Sequence, residues 1–243
     1  QVKPGEWLAV HGAGGVGLAA VMIGAAMGAR IIAIDVNPQA LLMAKNLGAD
    51  AVIDAGSAAD VGEAVRAATS GGAHVAIDAL GITATFHNSL RSLRKLGRYV
   101  QVGMPVGAHA EPAIPLLETV YARQIALMGT RGMAASRFPA LLAMVEAGRI
   151  DVARLITRRI ALAEAGAAIA AMDGYAGSGI TVIDPHDGGA LHVPMPDRTT
   201  TNLCFAGPDL RTMFLTLSST GRLARLTWPN PGLKLNFSEI AKY

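Results

Sequence analysis

A single cysteine, Cys204, stands among 243 residues, which excludes an internal disulfide and any metal site built from several thiolates. Aromatic residues make up 5%, too few for a surface on which bases could stack. Charged residues reach only 16% and the formal net charge is +3; Arg91, Arg94, Lys95 and Arg98 recur at the spacing of a solvated face, so no nucleic-acid partner is expected. There is no G-x-S-x-G, no Walker-type loop and no H-E-x-x-H, which leaves serine hydrolysis, nucleotide hydrolysis and zincin chemistry without support. The six histidines, His11, His74, His87, His109, His186 and His192, form no i, i+4 ligand pair. A charged-then-apolar leader is also missing, so the cytoplasm is the expected compartment, and Gln1 in place of an initiator Met suggests a longer reading frame.

What is present is 51% apolar residues and 28 glycines, a composition for tight turns and close backbone packing in an α/β protein. Residues 7–34, interrupted only by His11 and Arg30, have the hydropathy of a membrane span. Gly12, Gly14, Gly15 and Gly17 break that run into strand, turn and helix, so no membrane association is expected. Buried strands are expected at Trp7–Val10, Arg30–Ile34, Ala51–Ile53, His74–Asp78, Arg98–Val102 and Ile125–Gly129. Helices at Val16–Met27, Pro38–Leu47, Ala59–Ala68 and Thr83–Leu93 alternate with the first five of them. Such alternation predicts a doubly wound parallel sheet over residues 1–150. A helix over Ser136–Glu146, a strand at Leu155–Ile160, a helix at Ala163–Met172 and a strand at Ile180–Ile183 follow. From residue 184 to 243 the texture changes to a short β-rich tail, with alternating runs at Leu203–Phe205, Thr212–Thr216 and Arg222–Leu226.

The strongest chemical signal is Gly12-Ala13-Gly14-Gly15-Val16-Gly17, a G-x-G-x-x-G between a strand and a helix, with Asp35 closing the next strand. Gly12 permits the tight turn, Gly14 lets the backbone approach a pyrophosphate, and Gly17 brings the helix against the strand. Gly15 and Val16 open the helix, whose free N–H groups and positive dipole end favour phosphate. Asp35 is placed to accept from ribose hydroxyls and to repel a 2′-phosphate, so NAD is expected and NADP disfavoured. The alternative for Asp35 is a turn starter ahead of Asn37-Pro38. Asp54 and Asp78 also end strands, without a motif to set them apart.

The stretch from Val10 to Asp54, Lys45-x-Leu47-Gly48-Ala49-Asp50 within it, Asp78-x-x-Gly81, the run Gly97 to Gly103, and Gly129 followed by Gly132-Met133 resemble the cofactor half of zinc-type medium-chain alcohol dehydrogenases. The resemblance runs to about Ile183. It implies that Val102 and Gly103 line a nicotinamide pocket, that Gly81 borders the cofactor, and that His11 belongs to the cofactor turn. It also implies weaker cofactor affinity from Ala40, where relatives often carry Lys, a substrate contribution from Met104–His109, and a homodimer through the edge strand Ile125–Gly129. The family's catalytic zinc ligands precede the first strand–helix–strand unit and have no counterpart here. Residues 151–183 would return to that absent catalytic domain and leave an apolar face bare.

Residues 186–237 resemble another family. The run Thr199 to Asp209, Arg211 to Thr216, Gly221-Arg222-Leu223 and Trp228-Pro229-x-Pro231-Gly232-Leu233 are similar to the last strands of gluconolactonase-type β-propellers, with Ala206 where Gly is usual. That family's metal ligands belong to blades that are not here; Asn202 and Asp209 are expected at turns and strand edges, and Cys204 as a buried small hydrophobe. Three readings stand: an NAD-binding portion of an alcohol-dehydrogenase-like oxidoreductase, a sugar-lactone hydrolase, and a noncatalytic fusion fragment. No catalytic residue and no metal ligand is singled out.

Overall fold

The computed structural model describes residues 2–172, 177–184, 200–209, 211–217 and 222–227. The chain divides into two compact units, residues 1–187 and 188–243.

The first unit is built on β1 (Trp7–His11), α1 (Gly15–Ala26), β2 (Arg30–Asp35), α2 (Pro38–Asn46), β3 (Ala51–Asp54), α3 (Val61–Ala68), β4 (Ala73–Asp78), α4 (Thr83–Ser92), β5 (Leu93–Gln101) and β6 (Ala126–Gly129). These six strands form one sheet in the order β3-β2-β1-β4-β5-β6, every neighbouring pair parallel. Order reverses between β1 and β4, and a crevice at the carboxyl ends of strands on either side of such a point is where doubly wound sheets bind ligands.

Alternation along the strands fills both faces. Leu8, Val10, Ile31, Ala33 and Val75 pack against Leu18, Val21 and Met22 of α1 and Ala40 and Ala44 of α2. Trp7, Ala9, Ile32, Ile34, Ala76 and Tyr99 pack against Val61 and Val65 of α3 and Phe86 and Leu90 of α4. Each fully buried aliphatic side chain here contributes on the order of 1.5–3 kcal/mol. Residues apolar in unbroken runs are thus buried on both sides, as a parallel sheet requires. The Arg30 guanidinium closes the end of the sheet 4.0 Å over the Trp7 ring.

The expected elements are present with shifted ends. Asp60 accepts from Glu63 N at 2.9 Å, so α3 begins at Val61 rather than Ala59. Pairing along β5 starts at Leu93, five residues before Arg98, and its register slips between Ala73 and Val75 of β4, with Leu96 at a φ of 61°. Past β6, α5 (Phe138–Glu146) packs Leu141, Met144 and Val145 on the α1 face. A parallel pair, β7 (Ile156–Ala161) and β8 (Ile180–Asp184), brackets α6 (Ala165–Ala171). Ile169 and Met172, in and just after α6, are 62% and 71% exposed. A π-helical turn at Leu116–Tyr121 was not legible in the sequence.

The second unit carries β9 (Thr200–Ala206), β10 (Thr212–Leu217) and β11 (Arg222–Thr227) as an antiparallel sheet in the order β11-β10-β9, with Met213 and Leu215 buried. Asp209 Oδ1 accepts from Arg211 N at 3.1 Å, a turn role. The side chains of Asn202 and Cys204, and the stretch from Trp228 to Leu233, lie outside the described residues.

Candidate functional site

All nine residues singled out as cofactor contacts fall at the carboxyl edge of the six-stranded sheet. Gly12 to Gly17 follow β1, Asp35 ends β2, Gly81 follows β4, and Val102 and Gly103 follow β5.

The turn after β1 is shaped by backbone meeting backbone. Gly12 has a φ of +92° and donates its N–H to Ile34 O at 2.8 Å, which ties the turn to β2. A Cβ on Gly17 would lie 1.8 Å from Gly12 O, so only glycine lets α1 come this close. Gly14 differs: its φ is −71° and nothing lies within 4 Å of where its Cβ would be. An alanine would fit there, so neither packing nor backbone conformation calls for glycine at this position.

The α1 N-terminus is not capped by a side chain, and no acidic residue occupies its first turn. By contrast, Asn37 caps α2 and Asp60 caps α3. An uncapped helix start beside open space is a receptive place for an anion, because N–H groups and the dipole both point there. Val16 is 54% exposed on its rim. One flank is covered: Gly14 and Gly179 make an isolated parallel β-bridge, and Gly179 O would lie 3.1 Å from a Cβ on Gly15.

Asp35 has the turn role weighed for it and a second backbone contact that the sequence did not suggest. Its Oδ2 accepts from Ala13 N at 2.6 Å inside the glycine turn, and its Oδ1 accepts from Asn37 N at 2.8 Å. The carboxylate is half-buried and keeps further acceptor capacity on each oxygen. Asp54 has the turn role alone, with Oδ1 accepting from Gly56 N at 2.8 Å.

Asp78 is the residue whose importance the sequence did not reveal. It has no exposed surface, and its Oδ1 accepts from Leu80 N at 3.0 Å and Gly81 N at 2.9 Å, with the Thr85 hydroxyl 2.9 Å away. Its main-chain carbonyl accepts from Val102 N at 3.0 Å and Gly103 N at 2.9 Å, so one residue fixes both loops. There Gly81 and Gly103 are in contact: a Cβ on Gly103 would lie 2.5 Å from Gly81 N. Beyond them opens a cavity of about 270 Å³. Burial, and then the neighbouring Asp78 carboxylate, raise the pKa of the Tyr99 phenol in its wall.

His11 does not present its ring to the turn. It is 1% exposed, with Nε2 3.1 Å from Ser92 Oγ of α4; Ser92 donates its hydroxyl to Asn88 O at 2.7 Å, so the imidazole is the donor of that pair. Burial pushes the His11 pKa down to about 3. His87 and His109, expected as loop or surface residues, pin residues 104–113 to α4 through Ala113 O and Thr83. Among the described residues no group of three or more His, Cys, Asp or Glu could hold a metal ion, so the residues here do not fit a catalytic zinc. Nor is any described helix long and apolar enough to cross a membrane.

Comparison with known proteins agrees with this fold. A family model described as zinc-binding dehydrogenase matches residues 15–147. An alcohol dehydrogenase of Rhizobium meliloti (strain 1021) is 37% identical over 134 residues, 54% of this chain and 38% of its own. The solved alcohol dehydrogenase TADH of Thermus sp. ATN1 superposes with a TM-score of 0.66 at 30% identity, covering 76% of this chain and 54% of that one. A zinc-binding dehydrogenase structure from Sinorhizobium meliloti 1021, bound to NADP, shares the fold with a TM-score of 0.63 at 23% identity, covering 76% and 54%. The chain spans about 34–38% of the length of the alcohol dehydrogenases it matches. With more than half of its residues inside the family model and a sheet of the same architecture, the chain belongs to the zinc-binding dehydrogenase family.

Proposed function

We propose that residues 1–150 bind a nicotinamide dinucleotide, NAD in preference to NADP, as the cofactor portion of an oxidoreductase that moves hydride between an alcohol and that cofactor. The observation that carries this is the uncapped α1 N-terminus beside the open space at Gly14, with Asp35 hydrogen-bonded into the same turn. Gly14, Gly15, Val16 and Gly17 would hold the pyrophosphate on backbone N–H groups. Gly12 sets the turn. Asp35 would accept from the adenosine ribose hydroxyls, and its charge disfavours a 2′-phosphate. Gly81, Val102 and Gly103, held together by the Asp78 carbonyl, would border the nicotinamide end. When bound, the nicotinamide ring supplies the hydride chemistry. This chain's residues bind and orient the dinucleotide, and no metal-dependent step is assigned to them.

We assign residues 151–183 to a returning segment and 184–243 to a separate tail, in a cytoplasmic protein. A homodimer through β6 is part of the same reading, supported by all four of its residues being exposed at the open end of the sheet. Sedimentation velocity tests it: a monomer at all accessible concentrations overturns it. The gluconolactonase-like reading of the tail is supported by the antiparallel β9–β11 meander; calcium- or zinc-dependent lactone cleavage by the chain would favour it.

The deciding experiment is a titration with NADH and with NADPH, followed by nicotinamide fluorescence, for the chain and for Asp35→Ala. Saturable NADH binding that Asp35→Ala weakens, with NADPH poorer, supports the proposal. A folded chain that binds neither overturns it and leaves the noncatalytic fusion reading in front.

A further inference from the structure

At the amino ends of the strands, opposite the glycine turn, one imidazole is approached by two donors. His74 is the second residue of β4 and half-buried, and its Nδ1 accepts from Trp7 N, at the start of β1, at 3.0 Å. Trp7 is buried and its backbone N–H needs an acceptor, so Nδ1 presents a lone pair and carries no proton. Burial, and then the charge of Arg94, hold the His74 pKa below its usual value. The ring is therefore neutral above pH 7, and its one proton sits on Nε2. Yet a guanidinium N–H of Arg94, the second residue of β5, points at that same nitrogen from 2.8 Å. Two donors face each other there. Turning the ring over would not relieve this, because it would set carbon atoms before both of them.

The carboxylate that acts on His74 is already engaged: Glu6 Oε2 accepts from Lys3 N at 2.8 Å and from the Arg98 guanidinium. None of the ion pairs among the described residues includes Arg94. What two donors side by side lack is an acceptor with two oxygens. We propose that His74 Nε2 and the Arg94 guanidinium form a site for a small oxyanion, a carboxylate or phosphate group, which takes one N–H from each. Two hydrogen bonds to an ionised acceptor then replace the contact of donor with donor. The arrangement is the fork with which a guanidinium receives such groups, assembled here from two side chains. A halide of the same charge offers no pair of oxygens, so the site discriminates by shape as well as by charge. Arg94 is exposed and His74 half-buried, so a ligand can reach both. The inference does not rest on cofactor binding, because all nine candidate cofactor residues lie at the other ends of the strands.

The test is a ¹H–¹⁵N NMR titration of the whole chain, at about pH 7.5 to stay above the ordinary histidine range, following the His74 ring nitrogens and the Trp7 amide. Sodium phosphate and sodium acetate are compared with sodium chloride at matched ionic strength. The free chain should show the tautomer with its proton on Nε2. Both oxyanions should give saturable shifts at about millimolar concentration, and chloride should not. Arg94→Gln, at an exposed position, should weaken the response about tenfold or more in a chain that still folds. A proton on Nδ1, a chloride response equal to that of the oxyanions, or undiminished binding by Arg94→Gln would each overturn the proposal. So would the absence of saturable shifts at His74 in the folded wild type, the result expected if Arg94 relieves the contact by turning into water. A phosphate response confined to the Gly14 and Gly15 amides would overturn it too, since the anion would then lie at the glycine turn. Because NADH binding is read separately by fluorescence, failure here leaves the cofactor reading intact.

Discussion

The carboxyl edge of the six-stranded sheet has two halves made in different ways. On the β1–β2 side, main chain meets main chain: Gly17 against Gly12 O, Gly12 N on Ile34 O, and Asp35 holding Ala13 N. On the β4–β6 side, side chains do the shaping, with Asp78, Thr85, Tyr99 and Gln101 in one hydrogen-bonded group beneath a loop pinned by two histidines. A site made of backbone tolerates almost no substitution at its contacts but many elsewhere. A site made of side chains can change its ligand one residue at a time.

If that contrast holds, the largest effect belongs to Gly17→Ala. Its new methyl would be driven into Gly12 O, and a loss of about 3 kcal/mol or more in urea unfolding is expected. A variant of near wild-type stability would mean that the first half yields more readily than its packing indicates.

Next comes His11, which belongs to β1 yet reaches α4 on the other side. Its pKa is about 3 folded and near 6.5 unfolded, so the unfolded chain takes up a proton that the folded one refuses. Stability from this group is complete above about pH 6.5 and is lost progressively as pH falls below it, because only the unfolded chain takes up the proton. Denaturation series across that window should show a steeper acid limb in the wild type than in His11→Gln; identical limbs would place the proton elsewhere.

A smaller effect on stability is expected for Asp35→Asn, which removes the charge and sets its amide NH2 against one of the two backbone N–H groups that the carboxylate accepts from. NADH affinity should drop about 10- to 100-fold, the worth of charge-assisted bonds to two hydroxyls, while NADPH gains relative to it. The smallest change in stability belongs to Gly14→Ala. An added methyl meets nothing within 4 Å, so unfolding should shift by no more than about 1 kcal/mol, while NADH binding weakens about tenfold. Unchanged NADH affinity in this variant would remove the pyrophosphate from the turn.

The two halves were also unequally legible. Gly12 and Gly17 could be recognised from one line of sequence because their contact is local: a strand, a turn and a helix start supply both sides of it. The parallel sheet was legible for a similar reason, since strands apolar in unbroken runs must be covered twice. Asp78 was not, because what sets it apart from Asp54 is the company of Tyr99 and Gln101 from β5 and Thr85 from α4, and nothing in their spacing reports that they converge. The role given to the His11 ring was wrong for a related reason. Its place beside the glycines suggested the turn, whereas strand alternation sends its side chain to the α4 face, where Ser92 receives it.

The bridge between Gly14 and Gly179 joins two glycines from nearly opposite ends of the first unit. Closing so long a loop carries a large entropic cost and slows the formation of that contact relative to the local ones around it. On a ribosome the glycine turn would be complete, and open on both flanks, well before the Gly179 segment emerged to cover one of them. A nascent chain therefore presents this turn from a side that the finished protein closes.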